Sequence, residues 1–208
     1  MTTAPQPTLQ SIVFVVDDDA AVLDSLRLLL SSAGLATTGF TSAQEFLDQY
    51  NPRQPGCLVL DVRMPGMSGL ELQQSLNLSG ATIPVIFITG HGDVPMAVEA
   101  MQHGAFDFLQ KPFREHLLIE RIQCALEQDR ASREELTQLE RIRRHLESLT
   151  PREREVLDLV TAGKPNKIMA VELGVSQRTV ELHRARVMEK MGATSLAQLV
   201  RMVMDLES

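Results

Sequence analysis

Apolar residues follow one rhythm along the first ~125 positions of this chain and another beyond them. Short unbroken runs come first: IVFVV (12–16), CLVL (57–60), PVIFIT (84–89) and FDFL (106–109). Runs this short, apolar at nearly every position (Thr89 and Asp107 excepted), predict strands buried on both faces. Between them lie stretches with apolar residues at helical spacing. AAVLDSLRLLLSSAG closes on Gly34, and 42–49, 68–78 and 95–103 follow, the last closed by Gly104. Glycine at such a place ends a helix because it accepts a left-handed backbone. Alternating strands and helices predict an α/β unit: a doubly wound, five-stranded parallel sheet covered by helices on both faces.

From residue 113 to 148 the chain holds neither Gly nor Pro, and charges recur at i,i+4. Leu136, Leu139, Ile142, Leu146 and Leu149 form an apolar seam at spacings of 3, 3, 4 and 3. This predicts a long helical linker whose seam can pair with a second copy. Thr150-Pro151 breaks it, and Thr150 with Glu153 fits a capping box with Pro151 at the first helical position. The remainder predicts four helices: 151–162, 165–173, 176–191 and 194–206, with Ser176 and Thr194 as caps. The second and third are joined by the tight LGVS turn, as in a helix-turn-helix.

Composition narrows the class. With 208 residues, 44% hydrophobic and 23% charged, the chain has room for two modest domains. No apolar run approaches the ~20 residues needed to span a bilayer. The N-terminal MTTAPQPTLQS lacks the basic start and apolar core of a secretion signal, and reads as a short disordered tail. Two cysteines, Cys57 and Cys124, in no metal-ligand spacing, suit a reducing compartment; a cytoplasmic location is expected. The net charge of −7 resides in residues 1–125; 126–148 carry −1 and 149–208 carry +1. Nucleic-acid binding by the C-terminal part therefore needs local clustering of cations.

Charge also poses the chemical question. The first run ends in three aspartates, Asp17, Asp18 and Asp19. Adjacent carboxylates repel unless a cation sits among them. Asp61 follows the CLVL run, Thr89 ends PVIFIT, and Lys111 follows the last run. In a parallel sheet all of these reach the carboxyl edge, where ligands bind. Clustered carboxylates suit a hard divalent ion such as Mg²⁺, which also offsets charge in phosphoryl transfer. Central Asp61 is the natural nucleophile for an acyl phosphate, with the Thr89 hydroxyl and Lys111 ammonium left to neutralise phosphoryl oxygens. Asp19 reads as the cap of the first helix. Arg63 and His91, two residues beyond Asp61 and Thr89, can overhang the site and hinder attacking water, so slow self-hydrolysis is expected.

The segments VVDDD, LVLDVRMPGMSG, FITGHGD and FLQKPF together resemble the receiver domain of bacterial two-component response regulators, over residues 11–126. The longer GHGDVPMAVEAMQHGAFDF is similar to the FixJ branch. The resemblance implies a flavodoxin-like receiver with Asp61 as phosphoacceptor. It implies Mg²⁺ held directly by Asp18 and Asp61, through water by Asp17, and by the Arg63 backbone carbonyl. It also implies a cognate sensor histidine kinase as donor, a Thr89–Phe108 switch, and a dimerising face over 95–120. Haloacid-dehalogenase phosphatases share a strand-end aspartate, but need a second acid two residues on, where this chain has Arg63; an enzyme is not expected.

Residues 146–206, which include LTPREREVLDLV (149–160), resemble the LuxR/NarL-type four-helix DNA-binding domain, with Met169 where isoleucine is usual; the domain is taken as 146–208. Residues 127–145 are then the linker. On the third helix Val180, Val187 and Met191 fall on one side, while Arg178, Glu181, Leu182 and Ala185 form a lightly built stripe suited to a major groove. Lys167, Arg184, Arg186 and Lys190 flank it as phosphate contacts, and Ser176 and Thr179 open the helix toward the backbone. The expectation is a phosphorylation-controlled transcriptional regulator of the FixJ/NarL type, a homodimer when phosphorylated, acting on promoter DNA and RNA polymerase. A phosphorylation-responsive protein whose helical domain binds protein instead is the competing possibility.

Overall fold

In the computed structural model, which describes residues 9–90 and 94–207, five strands pair in parallel. They are β1 (Ile12–Val16), β2 (Thr37–Phe40), β3 (Gly56–Asp61), β4 (Val85–Thr89) and β5 (Asp107–Gln110), in the order β2-β1-β3-β4-β5. The intervening helices are α1 (Ala20–Ser32), α2 (Ala43–Gln49), α3 (Gly69–Leu78) and α4 (Val94–Gln102), and α5 (Glu115–Glu147) follows β5. The unbroken apolar runs are explained by the two cores. Phe14, Val16, Leu58, Leu60, Val85 and Phe87 face one core with Phe46, Leu72 and Ala100. Val13, Val15, Cys57, Val59, Ile86 and Ile88 face the other with Leu23, Leu26, Leu30, Leu118 and Ile122. Side chains alternate across a strand, so a strand covered on both sides must be apolar throughout. β2 has no such run. TTGF is an edge strand with one buried residue, Phe40, and its hydrogen bonding to β1 rather than its pattern makes it a strand.

Local chemistry sets the helix ends. Asp19 caps α1, its carboxylate accepting from Ala21 N at 2.8 Å, as expected. Ser42 caps α2, and Ser68 with Glu71 forms a capping box on α3. Glycines 34 and 104 turn the chain at φ +73° and +83°.

The chain divides into two units, one ending at Ser132 and one beginning at Arg133. The second holds α6 (Pro151–Thr161), α7 (Asn166–Leu173), α8 (Gln177–Met191) and α9 (Leu196–Glu207). Its core comprises Ile142, Leu149, Val156, Leu157, Val160, Met169, Val180, Val187, Met191 and Leu199. Met169 is fully buried there. Thr150 and Glu153 form the expected capping box with Pro151 at the start. Two expectations need correction. The cap of α9 is Ser195: its hydroxyl accepts from Gln198 N at 3.2 Å, and Gln198 Oε1 accepts from Thr194 N at 2.8 Å. The apolar seam is only partly available for pairing. Ile142 and Leu149 are buried and Leu146 packs with them in the unit's own core, whereas Leu136 is 49% exposed. Among the described residues no helix is long and apolar enough to cross a membrane.

Candidate functional site

The carboxyl edge of the sheet gathers most of the chemistry read from the sequence. Asp61 is the last residue of β3 and Thr89 the last of β4. Asp17 follows β1 directly, and Lys111 follows β5, its backbone N–H donating to the Thr89 carbonyl at 2.8 Å. Asp17, Asp61 and Thr89 are all buried. The Lys111 ammonium bridges the two acids, 2.9 Å from Asp17 Oδ2 and 3.4 Å from Asp61 Oδ1. The other oxygens are held by backbone: Asp17 Oδ1 accepts from Asp19 N at 3.0 Å, and Asp61 Oδ2 from Arg63 N at 2.7 Å. Together these contacts orient both carboxylates.

Burial pushes the Asp61 carboxyl above its usual range, against the Arg63 N–H and Lys111, while the Asp17 charge adds to the upward push. One ammonium shared between two buried acids does not outweigh the loss of solvent. Asp18 is exposed, outside the bridge. Among the described residues no three His, Cys, Asp or Glu side chains come together as a metal cluster; Asp17 and Asp61 close on Lys111 instead. The donor set is nonetheless oxygen alone, which suits a hard divalent cation.

α3 presses against the site from below. A Cβ on Gly69 would lie 2.2 Å from the Asp61 carbonyl oxygen, so only glycine lets the helix start this close. Arg63 reaches away toward α4, its Nη2 4.0 Å from Met96 Sδ. Phe108 is half-buried and packs at 6.1 Å between ring centroids on Phe87. His91 lies outside the described residues.

The second candidate surface is built on α8. Val180, Val187 and Met191 are buried, and Arg178, Glu181, Leu182, Ala185 and Arg186 are exposed on its other side. Lys167 on α7 is exposed as well. Ser176 caps α8, its hydroxyl accepting from Thr179 N at 3.1 Å and pairing with Thr179 Oγ1 at 2.9 Å. His183 is half-buried, as expected for a packing residue. Arg184 is half-buried too and donates to Asn166 Oδ1. Lys190 departs from its expected place: its ammonium binds Glu153 Oε2 at 2.6 Å. Asn166 and Glu153 are thus functional neighbours that sequence reasoning missed. The partners are 18 and 37 residues apart, and no periodicity signals such a pair.

Comparison with known proteins assigns a family to each part of the chain. Residues 13–123 match the model of the response regulator receiver domain, and 147–203 that of the bacterial regulatory proteins of the luxR family. The transcriptional regulatory protein FixJ of Azorhizobium caulinodans is 50% identical over 192 residues, covering 92% of this chain and 91% of that protein. Nodulation protein W of Bradyrhizobium diazoefficiens is 47% identical over 197 residues, covering 95% and 87%. Among solved structures, response regulator StyR superposes with a TM-score of 0.87 at 46% identity, covering 94% of this chain and 98% of that one. Full-length FixJ from B. japonicum does so with a TM-score of 0.59 at 45% identity, covering 96% and 98%. A receiver with its acids at the sheet edge, joined to a LuxR-type helical domain, places this chain among the transcription-factor response regulators of two-component systems, which are not enzymes.

Proposed function

We propose that Asp61 accepts a phosphoryl group from a sensor histidine kinase and that this acyl phosphate controls promoter binding by the C-terminal domain. The supporting observation is the buried Asp61 carboxylate, aligned by the Arg63 N–H and tied through Lys111 to Asp17. Asp61 attacks phosphorus; the kinase N–P bond breaks as the O–P bond forms. Its nucleophilic form is the ionised one, and Lys111 favours that form against burial. Lys111 and the Thr89 hydroxyl then neutralise the transferred oxygens. Asp17, Asp18, Asp61 and the Arg63 carbonyl would hold Mg²⁺, which would supply charge compensation for the transfer. Thr89 and Phe108 carry the change outward to a dimerising face that includes the exposed Val98 and Met101.

The domain limits we assign are 11–126 for the receiver, 127–145 for the linker and 146–208 for the DNA-binding domain. Direct DNA contacts are Lys167, Ser176, Arg178, Thr179, Glu181, Leu182, Arg184 and Arg186. Lys190 is not among them, because its ammonium is bound to Glu153. Dimerisation when phosphorylated raises occupancy through effective concentration, and the assembly acts on RNA polymerase in the cytoplasm. The test is a gel shift on upstream DNA, with and without acetyl phosphate, at several salt concentrations. Affinity should rise with phosphorylation, and each lost phosphate contact, Lys167→Ala for example, should flatten the log-affinity against log-salt slope by about 1 unit. Phosphorylation-independent or salt-independent binding would overturn the proposal.

A further inference from the structure

The C-terminal turn of α8 is clasped by three other segments, and the clasp centres on one side chain. Lys190 Nζ lies 2.6 Å from Glu153 Oε2 and donates to the Ser148 carbonyl at 3.2 Å. Its own backbone carbonyl accepts from His145 Nδ1 on the last turn of α5; a carbonyl only accepts, so that nitrogen carries the proton. Glu153 is buried and is also the capping-box acid of α6, its Oε2 accepting from Thr150 N at 2.9 Å. Lys190 holds its carboxyl down at about 2, with the Thr150 N–H helping. Earlier on α8, about three turns and one turn before Lys190, Val180 and Val187 fix which face is buried. A buried apolar face sets rotation of a helix about its axis but leaves it free to slide or tilt by fractions of an ångström. A charged hydrogen bond with a defined partner restricts that residual freedom.

Resting on the DNA-binding reading above, we propose that Lys190 and Glu153 are positioning residues: Lys190 serves DNA recognition through Glu153, not by touching a phosphate. The pair anchors the end of the reading helix to α6 and to the Ser148 carbonyl, so that the Arg178–Arg186 stripe meets the groove at a set height. Side chains of that stripe lie one to three turns from the anchor, and a small tilt there displaces them most.

The two roles differ in their salt signature. Full-length protein treated with acetyl phosphate is titrated onto one duplex at a series of salt concentrations, for wild type, Glu153→Gln, Lys190→Met, the double variant and Lys190→Arg. Glutamine still accepts from Thr150 N, so the α6 cap survives while the charge on Lys190's partner is lost. Circular dichroism fixes a temperature at which every variant is fully helical. Each neutralising variant should weaken binding about five- to tenfold with an unchanged salt slope, the double variant no more than either single one, and Lys190→Arg should stay within about twofold of wild type. A slope reduced by about 1 unit in Lys190→Met, with Glu153→Gln at wild-type affinity, would make Lys190 a phosphate contact and end the proposal. Additive losses, or two singles at wild-type affinity, would end it equally. Wild type that fails to bind any upstream duplex would instead bring down the DNA-binding reading itself.

Discussion

Gly69 and Gly56 form a matched pair of steric insults that separates chemistry from stability. A Cβ on Gly69 would stand 2.2 Å from the Asp61 carbonyl oxygen; a Cβ on Gly56 would stand 2.1 Å from the Ile12 carbonyl oxygen. Ordinary contact begins near 3.4 Å, so backbone must give by about 1 Å in either alanine variant, and overpacking of this kind costs about 1–3 kcal/mol. The two sites lie at opposite ends of β3. In Gly69→Ala the displaced segment carries Asp61, the proposed phosphoacceptor, and a misplacement of ~1 Å in reacting groups costs about 10²-fold in rate. In Gly56→Ala the strain falls at the strand's other end. Equilibrium urea unfolding should show similar destabilisation of both, while acetyl-phosphate labelling at saturating Mg²⁺ should slow about 10²-fold in Gly69→Ala and less than about threefold in Gly56→Ala. Equal labelling rates in the two variants, at comparable stability, would refute the claim that Asp61 works only at its set position.

Three further outcomes are expected. Burial raises the Asp61 carboxyl, so its ionised form opposes folding at neutral pH, and that penalty lifts as pH falls through the raised value toward the unfolded one. Asp61→Asn should therefore be more stable than wild type at pH 7, with a gap that closes on acidification; urea unfolding at several pH values measures it. Glu153 shifts the opposite way, to about 2 from 4.5. Its contribution is complete above about pH 4.5 and is lost as pH falls toward 2, so the wild-type minus Glu153→Gln difference in helix melting should shrink across that window. Ile142 is fully buried in the second unit's core, and Ile142→Ala should cost about 2–5 kcal/mol there while leaving the receiver's phosphoryl uptake unchanged, read by thermal melts beside a labelling assay.

What the sequence made legible follows physical lines. Strands covered on both faces must be apolar throughout, so β1, β3 and β4 were visible, β5 showed itself by Phe106, Phe108 and Leu109 around its start and middle, and the strand ends carried Asp17, Asp61, Thr89 and Lys111 to one edge. β2, an edge strand with one buried residue, has no such signature and shows itself only through its ladder to β1. Helix caps were readable to within a residue: Asp19, Ser176 and Thr150 fall where local chemistry puts them, but Thr194 and Ser195 are chemically interchangeable as caps and only geometry chooses Ser195. The seam along 136–149 has the right period for any apolar neighbour, and periodicity cannot say which one; the structure assigns Ile142 and Leu149 to the chain's own helices. Likewise Lys190 read as a free cation on a reading helix because its partner, Glu153, was already accounted for as a cap. A carboxylate with two jobs looks from the sequence like a carboxylate with one.

The most direct test is to follow labelled phosphoryl transfer from a phosphorylated sensor kinase to the full-length chain and to its Asp61→Ala variant, with Mg²⁺ present. Wild type should take up acid-stable, base-labile label, and the variant none. Label retained on the variant at the wild-type level would place the phosphoryl group elsewhere and contradict the account.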